Sequence, residues 1–77
     1  MKIKELDDVV LLTDLPLKGL ARGDVGTVVL VHRGGEGYEV EFTALDGETL
    51  AVVTLAASQV RPAGRREIAH VRELAFA

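Results

Sequence analysis

The fold is decided by residues 25–55, which read VGTVVLVHRGGEGYEVEFTALDGETLAVVTL. Three apolar runs lie here between polar, glycine-containing breaks, at residues 25–31, 38–42 and 49–55. β-Branched residues are frequent in the first and last runs, a composition that favours strands over helices. The middle run alternates, with Tyr38, Val40 and Phe42 on one face and Glu39 and Glu41 on the other. The stretch therefore predicts three successive antiparallel strands.

Turn signals and further apolar runs extend this pattern in both directions. Asp46-Gly47 lies between the last two runs and predicts a two-residue type I′ hairpin turn, because both residues tolerate positive φ. An apolar run at residues 9–13 predicts an earlier strand, joined to the next by the long loop Asp14–Asp24. At the other end we expect a short helical turn at 56–59 and an edge strand at Val60–Pro62. The prediction is an all-β domain, a small barrel of about five antiparallel strands.

Length and composition set the class of protein. The chain has 77 residues, enough for one small domain, and its 48% hydrophobic and 27% charged residues are typical of a folded globular protein. The formal net charge of -3 disfavours a protein whose main task is to neutralise phosphates. No cysteine is present, which excludes disulfides and thiolate chemistry. The sequence carries no pattern of a secretory signal or a membrane span, and we expect a cytoplasmic protein.

The end of the chain differs from the rest. Residues 61–77 carry four basic and two acidic side chains, whereas the preceding part is acidic. Ile68, Val71, Leu74 and Ala75 recur at three- and four-residue spacings, which favours an amphipathic helix. We therefore divide the chain into a barrel at 1–63 and a C-terminal tail at 64–77. The tail either packs on the barrel and completes a small core, or docks on another chain.

Four short motifs in this pattern are RGDVGTVV at 22–29, YEVEF at 38–42, VTL at 53–55 and SQVRP at 58–62. Together they resemble a family of small bacterial SH3-like domains of unknown function. The resemblance implies a five-stranded SH3-like barrel. It also implies an antitoxin or immunity-type role, because genes of such domains sometimes stand beside small toxin-like or nuclease-like genes. A shorter similarity, over Gly23–Val29, links the chain to KOW-type domains, which bind RNA or protein.

No group of residues in the sequence predicts catalysis. His32 and His70 show no ligand spacing with acidic residues, and Ser58 lacks an orienting histidine motif. Gly23 and Gly26 lack the further glycine and the lysine of a nucleotide-binding loop. We therefore expect no enzyme activity, no cofactor and no metal.

The candidate partner-binding residues form three groups. The loop supplies Leu17, Lys18 and Arg22, an acidic stripe on an exposed sheet face supplies Glu39, Glu41 and Glu48, and the tail supplies Arg65, Ile68, Val71, Arg72 and Leu74. The stripe is either a solvated face or a surface for a basic partner. We interpret Arg22-Gly23-Asp24 as the turn that leads into the second strand.

These features favour a non-enzymatic protein-interaction module whose partner is a protein such as a toxin or nuclease. The alternative is a KOW-like nucleic-acid-binding domain that uses the basic residues Lys18, Arg22, Arg61, Arg65 and Arg66. Pairing with a second copy through the second strand, the fourth strand or the tail would cover runs that are apolar on both faces.

Overall fold

The structure is a computed structural model that describes residues 2–74 and contains five strands. The strands are β1 (Asp8–Leu11), β2 (Val25–His32), β3 (Gly37–Thr43), β4 (Thr49–Ala56) and β5 (Val60–Pro62). Single turns of 3₁₀ helix, Pro16–Lys18 and Ala57–Gln59, precede β2 and β5. The prediction of an all-β domain with five antiparallel strands is confirmed, and so is the short turn before the last strand.

The five strands form one antiparallel sheet in the order β4-β3-β2-β1-β5. β1 to β4 are neighbours in chain order, whereas β5 crosses over to pair with β1 through Val10↔Arg61 and the pairs on either side. β4 and β5 are therefore the two edges of the sheet. The register between β2 and β3 shifts between Val28 and Leu30, and this bulge leaves both Val29 and Leu30 more than 40% exposed.

The core lies on one face of the strands. Tyr38, Val40 and Phe42 are all buried, as the alternating pattern of β3 predicts, and they pack with apolar residues of the other strands in a single cluster. The N-terminal segment adds Ile3 to this cluster, a residue that the sequence pattern did not indicate. It is held in place because the N–H of Leu6 donates to the carbonyl oxygen of Val28 over 2.7 Å.

The hairpin between β3 and β4 differs from the predicted two-residue type I′ turn. Gly47 has a φ of +94°, but Asp46 does not share this left-handed conformation. The N–H of Gly47 donates to the carbonyl oxygen of Ala44 over 2.9 Å, and Oδ1 of Asp46 accepts the N–H of Glu48 over 2.9 Å. The type I′ prediction is therefore wrong, because the Asp46 carboxylate closes a longer bend in which Gly47 alone needs positive φ.

The described part of the tail is not helical, so the helix prediction is wrong for residues 65–74. Glu67 and Arg72 both form ion pairs with the body of the domain, at Arg61 and Asp24. In an α-helix these two positions would lie about 140° apart around the axis, and both could not face the same surface. An isolated helix of this length is also marginal in water. Ala75, the last position of the predicted pattern, lies outside the described residues.

Candidate functional site

The loop Asp14–Asp24 is an ordered structure held by its own hydrogen bonds. Leu15 and Leu20 form an isolated β-bridge around the 3₁₀ turn, and Gly19 closes that turn with a φ of +71°. Oδ1 of Asp14 accepts the N–H of Arg22 over 2.9 Å. These hydrogen bonds fix the path of the loop. They place Asp24, its last residue, directly before the start of β2.

Asp24 binds the side chain of Arg72, a residue near the C-terminal end of the sequence. Nε of Arg72 donates to Oδ1 of Asp24 over 2.9 Å, and Nη2 donates to Oδ2 over 2.7 Å. Nη2 also donates to the carbonyl oxygen of Gly19 over 2.9 Å. The bidentate geometry is the strong form of an arginine–carboxylate pair. It joins the predicted loop and tail surfaces into one site.

The same contacts set the electrostatics of Asp24. Burial raises the pKa of its carboxyl, but the hydrogen bonds from Arg72 and from the N–H of Ala21 outweigh burial and hold that pKa below its usual value. The pKa of Arg72 is raised by the hydrogen bond to Asp24. Both groups are therefore charged at neutral pH, and the pair is an ion pair.

Beside this ion pair lies a cavity of about 350 Å³. The body of the domain lines it with apolar side chains, which include Leu20, Val25, Phe42, Leu45 and Leu50, and the tail forms its other wall from Ala69 to Leu74. Leu20 and Phe42 belong to the buried core, whereas Leu45 at the rim is 92% exposed. The cavity and the ion pair together form a groove with an apolar floor and an acidic end, which we call the Asp24 groove.

Six of the predicted partner-binding residues lie at the Asp24 groove or on the segments that form it. Arg72, Val71 and Leu74 line the cavity from the tail. Leu17, Lys18 and Arg22 are exposed on the loop whose Gly19 and Asp24 bind Arg72. Leu17 is 99% exposed.

The predicted acidic stripe does not line this groove. Glu39 and Glu41 lie on the outer face of β3, and each carboxylate has partners within the sheet. Oε2 of Glu39 accepts hydrogen bonds from Nε2 of His32 over 2.6 Å and from Oγ1 of Thr54 over 2.7 Å, and these bonds lower the pKa of Glu39. Oε2 of Glu41 accepts from Oγ1 of Thr49 over 2.7 Å. Glu48 lies in the turn before β4, off the strands that would form a stripe.

Two other predicted tail residues also lie away from the Asp24 groove. Arg65 lies with Asp7 and Asp8 at a second depression of about 370 Å³, and Ile68 is 96% exposed. Between them, Glu67 accepts two hydrogen bonds from Arg61, over 2.8 and 2.7 Å, and one from the N–H of Gly64. The hydrogen bonds from Arg61 and Gly64 lower the pKa of Glu67 to about 2.

Sequence reasoning missed the residues that form the floor and the acidic end of the groove. The sequence predicts a turn residue at Asp24, and Oδ2 does accept the N–H of Ala21 over 2.9 Å. Its other contacts come from Arg72, 48 positions away. Leu45 and Leu50 flank the β3–β4 turn. A leucine in a polar hairpin turn is the sequence signal that could have indicated a binding surface here.

Within residues 2–74 no cluster of three or more histidine and acidic side chains could hold a metal ion. The His32–Glu39 contact is a two-residue pair on the outer face of the sheet. The same part of the chain contains no helix with the length and apolar character needed to cross a membrane.

The chain is a small all-β domain with a surface groove that its own tail partly covers. The sequence profile of a family described as Domain of unknown function (DUF4926) matches residues 5–62, more than half of the chain, and the chain belongs to this family. The match ends with β5, so the tail lies beyond the matched region. No curated protein matches the chain at a significant level, and neither does any solved structure.

Proposed function

We propose that this protein is a non-enzymatic, SH3-like protein-interaction module that binds its partner at the Asp24 groove. The partner class that the resemblance suggests is a toxin or nuclease, for which the protein would act as an antitoxin or immunity-type partner. Support for the SH3-like assignment comes from the strand order, in which a single 3₁₀ turn returns β5 to the side of β1.

The observation that carries the proposal is the groove itself. A core-lined apolar floor opens to the surface beside a charged aspartate, and exposed leucines stand at the rim. Concave surfaces that are lined mainly by apolar side chains and carry a few charged or polar groups are common binding sites. The net charge of -3 favours a basic partner, and the Asp24 carboxylate favours one as well once Arg72 leaves it. Proteins that act on nucleic acid carry basic surfaces for phosphate.

The test compares two substitutions of exposed leucines in the full chain. Leu45→Asp places a charge at the rim of the groove, whereas Leu6→Asp makes the same change at a leucine that is 80% exposed and does not line the groove. Tagged wild-type and variant chains are used for affinity purification from native cells, and retained proteins are quantified by mass spectrometry.

We expect a stoichiometric partner to be retained by the wild type and by Leu6→Asp, and to be lost with Leu45→Asp. If all three chains retained the same partner, the interface would lie outside the Asp24 groove. Recovery of the chain without any partner would remove the support for an interaction module.

A further inference from the structure

The loop Asp14–Asp24 forms an arginine receptor without help from the tail. Oδ2 of Asp24 accepts the N–H of Ala21, which orients the carboxylate, and the carbonyl group of Gly19 is fixed by the 3₁₀ turn that precedes it. Two carboxylate oxygens and one carbonyl oxygen match the planar, five-donor fork of a guanidinium group, which a lysine cannot reproduce. The receptor therefore remains in place if Arg72 leaves.

The apolar cavity lies next to this receptor, and the tail contacts it two residues after Arg72, at Leu74. Leu74 lines the cavity and is 38% exposed, whereas Val71 is 73% exposed. Val71 also lines the cavity but is more exposed, so an arginine at the receptor places the second residue after it, as Leu74 is placed, beside the cavity. About 350 Å³ of the cavity remains open beside the tail, so Leu74 does not fill it.

Up to residue 74, the tail is attached through few contacts. Apart from Arg72 and Leu74, its main anchor is the Arg61–Glu67 pair, in which both side chains are 43% exposed. Exposed ion pairs contribute little to stability. The tail has the advantage of being joined to the body, which gives it a high effective concentration at the groove. A partner segment must offset this advantage, and it can do so through apolar contacts in the part of the cavity that the tail leaves open.

We propose that the Asp24 groove recognises an extended partner segment with an arginine and, two residues later, an aliphatic side chain, and that Arg72 and Leu74 occupy this site until the partner displaces them. This inference rests on the proposed function and specifies the chemistry of the partner. The charge of Asp24 and the carbonyl oxygen of Gly19 select the arginine, and the apolar floor selects the aliphatic side chain.

The experiment uses full-length chains and a fluorescently labelled peptide with the sequence of residues 65–77, and it measures fluorescence anisotropy. In the wild type the attached tail competes with the peptide, whereas the Arg72→Ala chain leaves the receptor free. We expect the Arg72→Ala chain to bind the peptide about fivefold or more tightly than the wild type, because removal of the competing contact raises the fraction of open sites.

Substitutions in the peptide separate specific recognition from general charge attraction and require no change in the protein. Peptides with Arg72→Ala or Arg72→Lys should bind the Arg72→Ala chain about tenfold more weakly, while the matched Arg66→Ala peptide keeps its affinity. Adding Asp24→Asn to the Arg72→Ala chain should also abolish its gain in peptide affinity, because the negative charge is lost. The amide oxygen can still accept the N–H of Ala21, so the loop keeps this hydrogen bond.

Equal affinity of the wild-type and Arg72→Ala chains for the peptide would overturn the inference, and so would undetectable binding to both. Equal losses with the Arg66→Ala and Arg72→Ala peptides would also overturn it. If partner retention still depends on Leu45 while the peptide experiment fails, the arginine-anchored recognition is wrong and the interaction function stands.

Discussion

Gly26 shows how one missing side chain sets the packing of the core. A Cβ atom at this position would lie 2.6 Å from Cγ1 of Val40 and 2.9 Å from Cε1 of Phe42, both in the buried face of β3. We expect Gly26→Ala to lower the free energy of unfolding by about 1–3 kcal/mol, because a packed core resists an added methyl group. Urea unfolding measures the change.

Gly64→Ala is the matched control for this prediction. Its added Cβ would contact the side chain of Glu67, which is 43% exposed and is held by surface hydrogen bonds rather than by core packing. We expect a clearly smaller loss than at residue 26. Similar losses for the two variants would show that the space around Gly26 does not limit the packing of β2 on β3.

Glu67 gives a prediction about pH. Its pKa is lowered from 4.5 to about 2 by hydrogen bonds from Arg61 and from the N–H of Gly64. A carboxyl with a lowered folded-state pKa stabilises its contacts above the unfolded pKa, and the effect is lost as the pH falls from about 4.5 through about 2. We expect the amide resonance of Gly64 in NMR spectra to titrate with a midpoint near 2 and to be flat in Glu67→Gln. A midpoint near 4.5 would contradict the bidentate contact.

At the scale of elements, the two edges of the sheet are protected unequally. β5 is three residues long and contains Pro62, which has no N–H to offer another strand. β4 is eight residues long, contains neither charge nor proline, and exposes 54% of Val52. An uncharged free edge of this length can pair with another strand.

We expect the wild type to self-associate at high concentration through β4, and Val52→Lys to weaken this association, because a charge on an edge strand opposes pairing. Sedimentation velocity over a range of concentrations measures the effect. Val29→Lys adds the same charge to the exposed bulge of β2, a strand that is not at an edge, and should leave association unchanged. Equal effects of the two substitutions would indicate general charge repulsion rather than edge pairing.

The strands were predictable because their signals are local. Alternation in β3 and the β-branched runs of β2 and β4 depend on neighbouring residues alone, and Val60–Pro62 is a strand with the expected bounds. The conformation of the tail and the Asp24 groove depend on contacts between distant residues. Arg72 meets Asp24 and Gly19 across the fold, and no spacing in the sequence specifies that pairing.

At the scale of the whole molecule, the distribution of charge and aromatic side chains bears on the nucleic-acid alternative. Arg61 and Arg72 are held by Glu67 and Asp24, so part of the positive charge is already neutralised within residues 2–74. Tyr38 and Phe42 are buried and cannot stack on bases. A measurement of nucleic-acid binding separates the protein-interaction module from the KOW-like nucleic-acid-binding alternative.

We expect no electrophoretic mobility shift of RNA or DNA at low salt below about 100 µM protein, because a chain with a net charge of -3 gains little from counterion release. The double variant Lys18→Ala/Arg22→Ala provides the comparison, since both residues are exposed on the loop before β2. A micromolar shift that weakens with added salt and is lost in this double variant would contradict the prediction. It would make the loop a phosphate-binding surface and would favour the nucleic-acid alternative over the protein-interaction module.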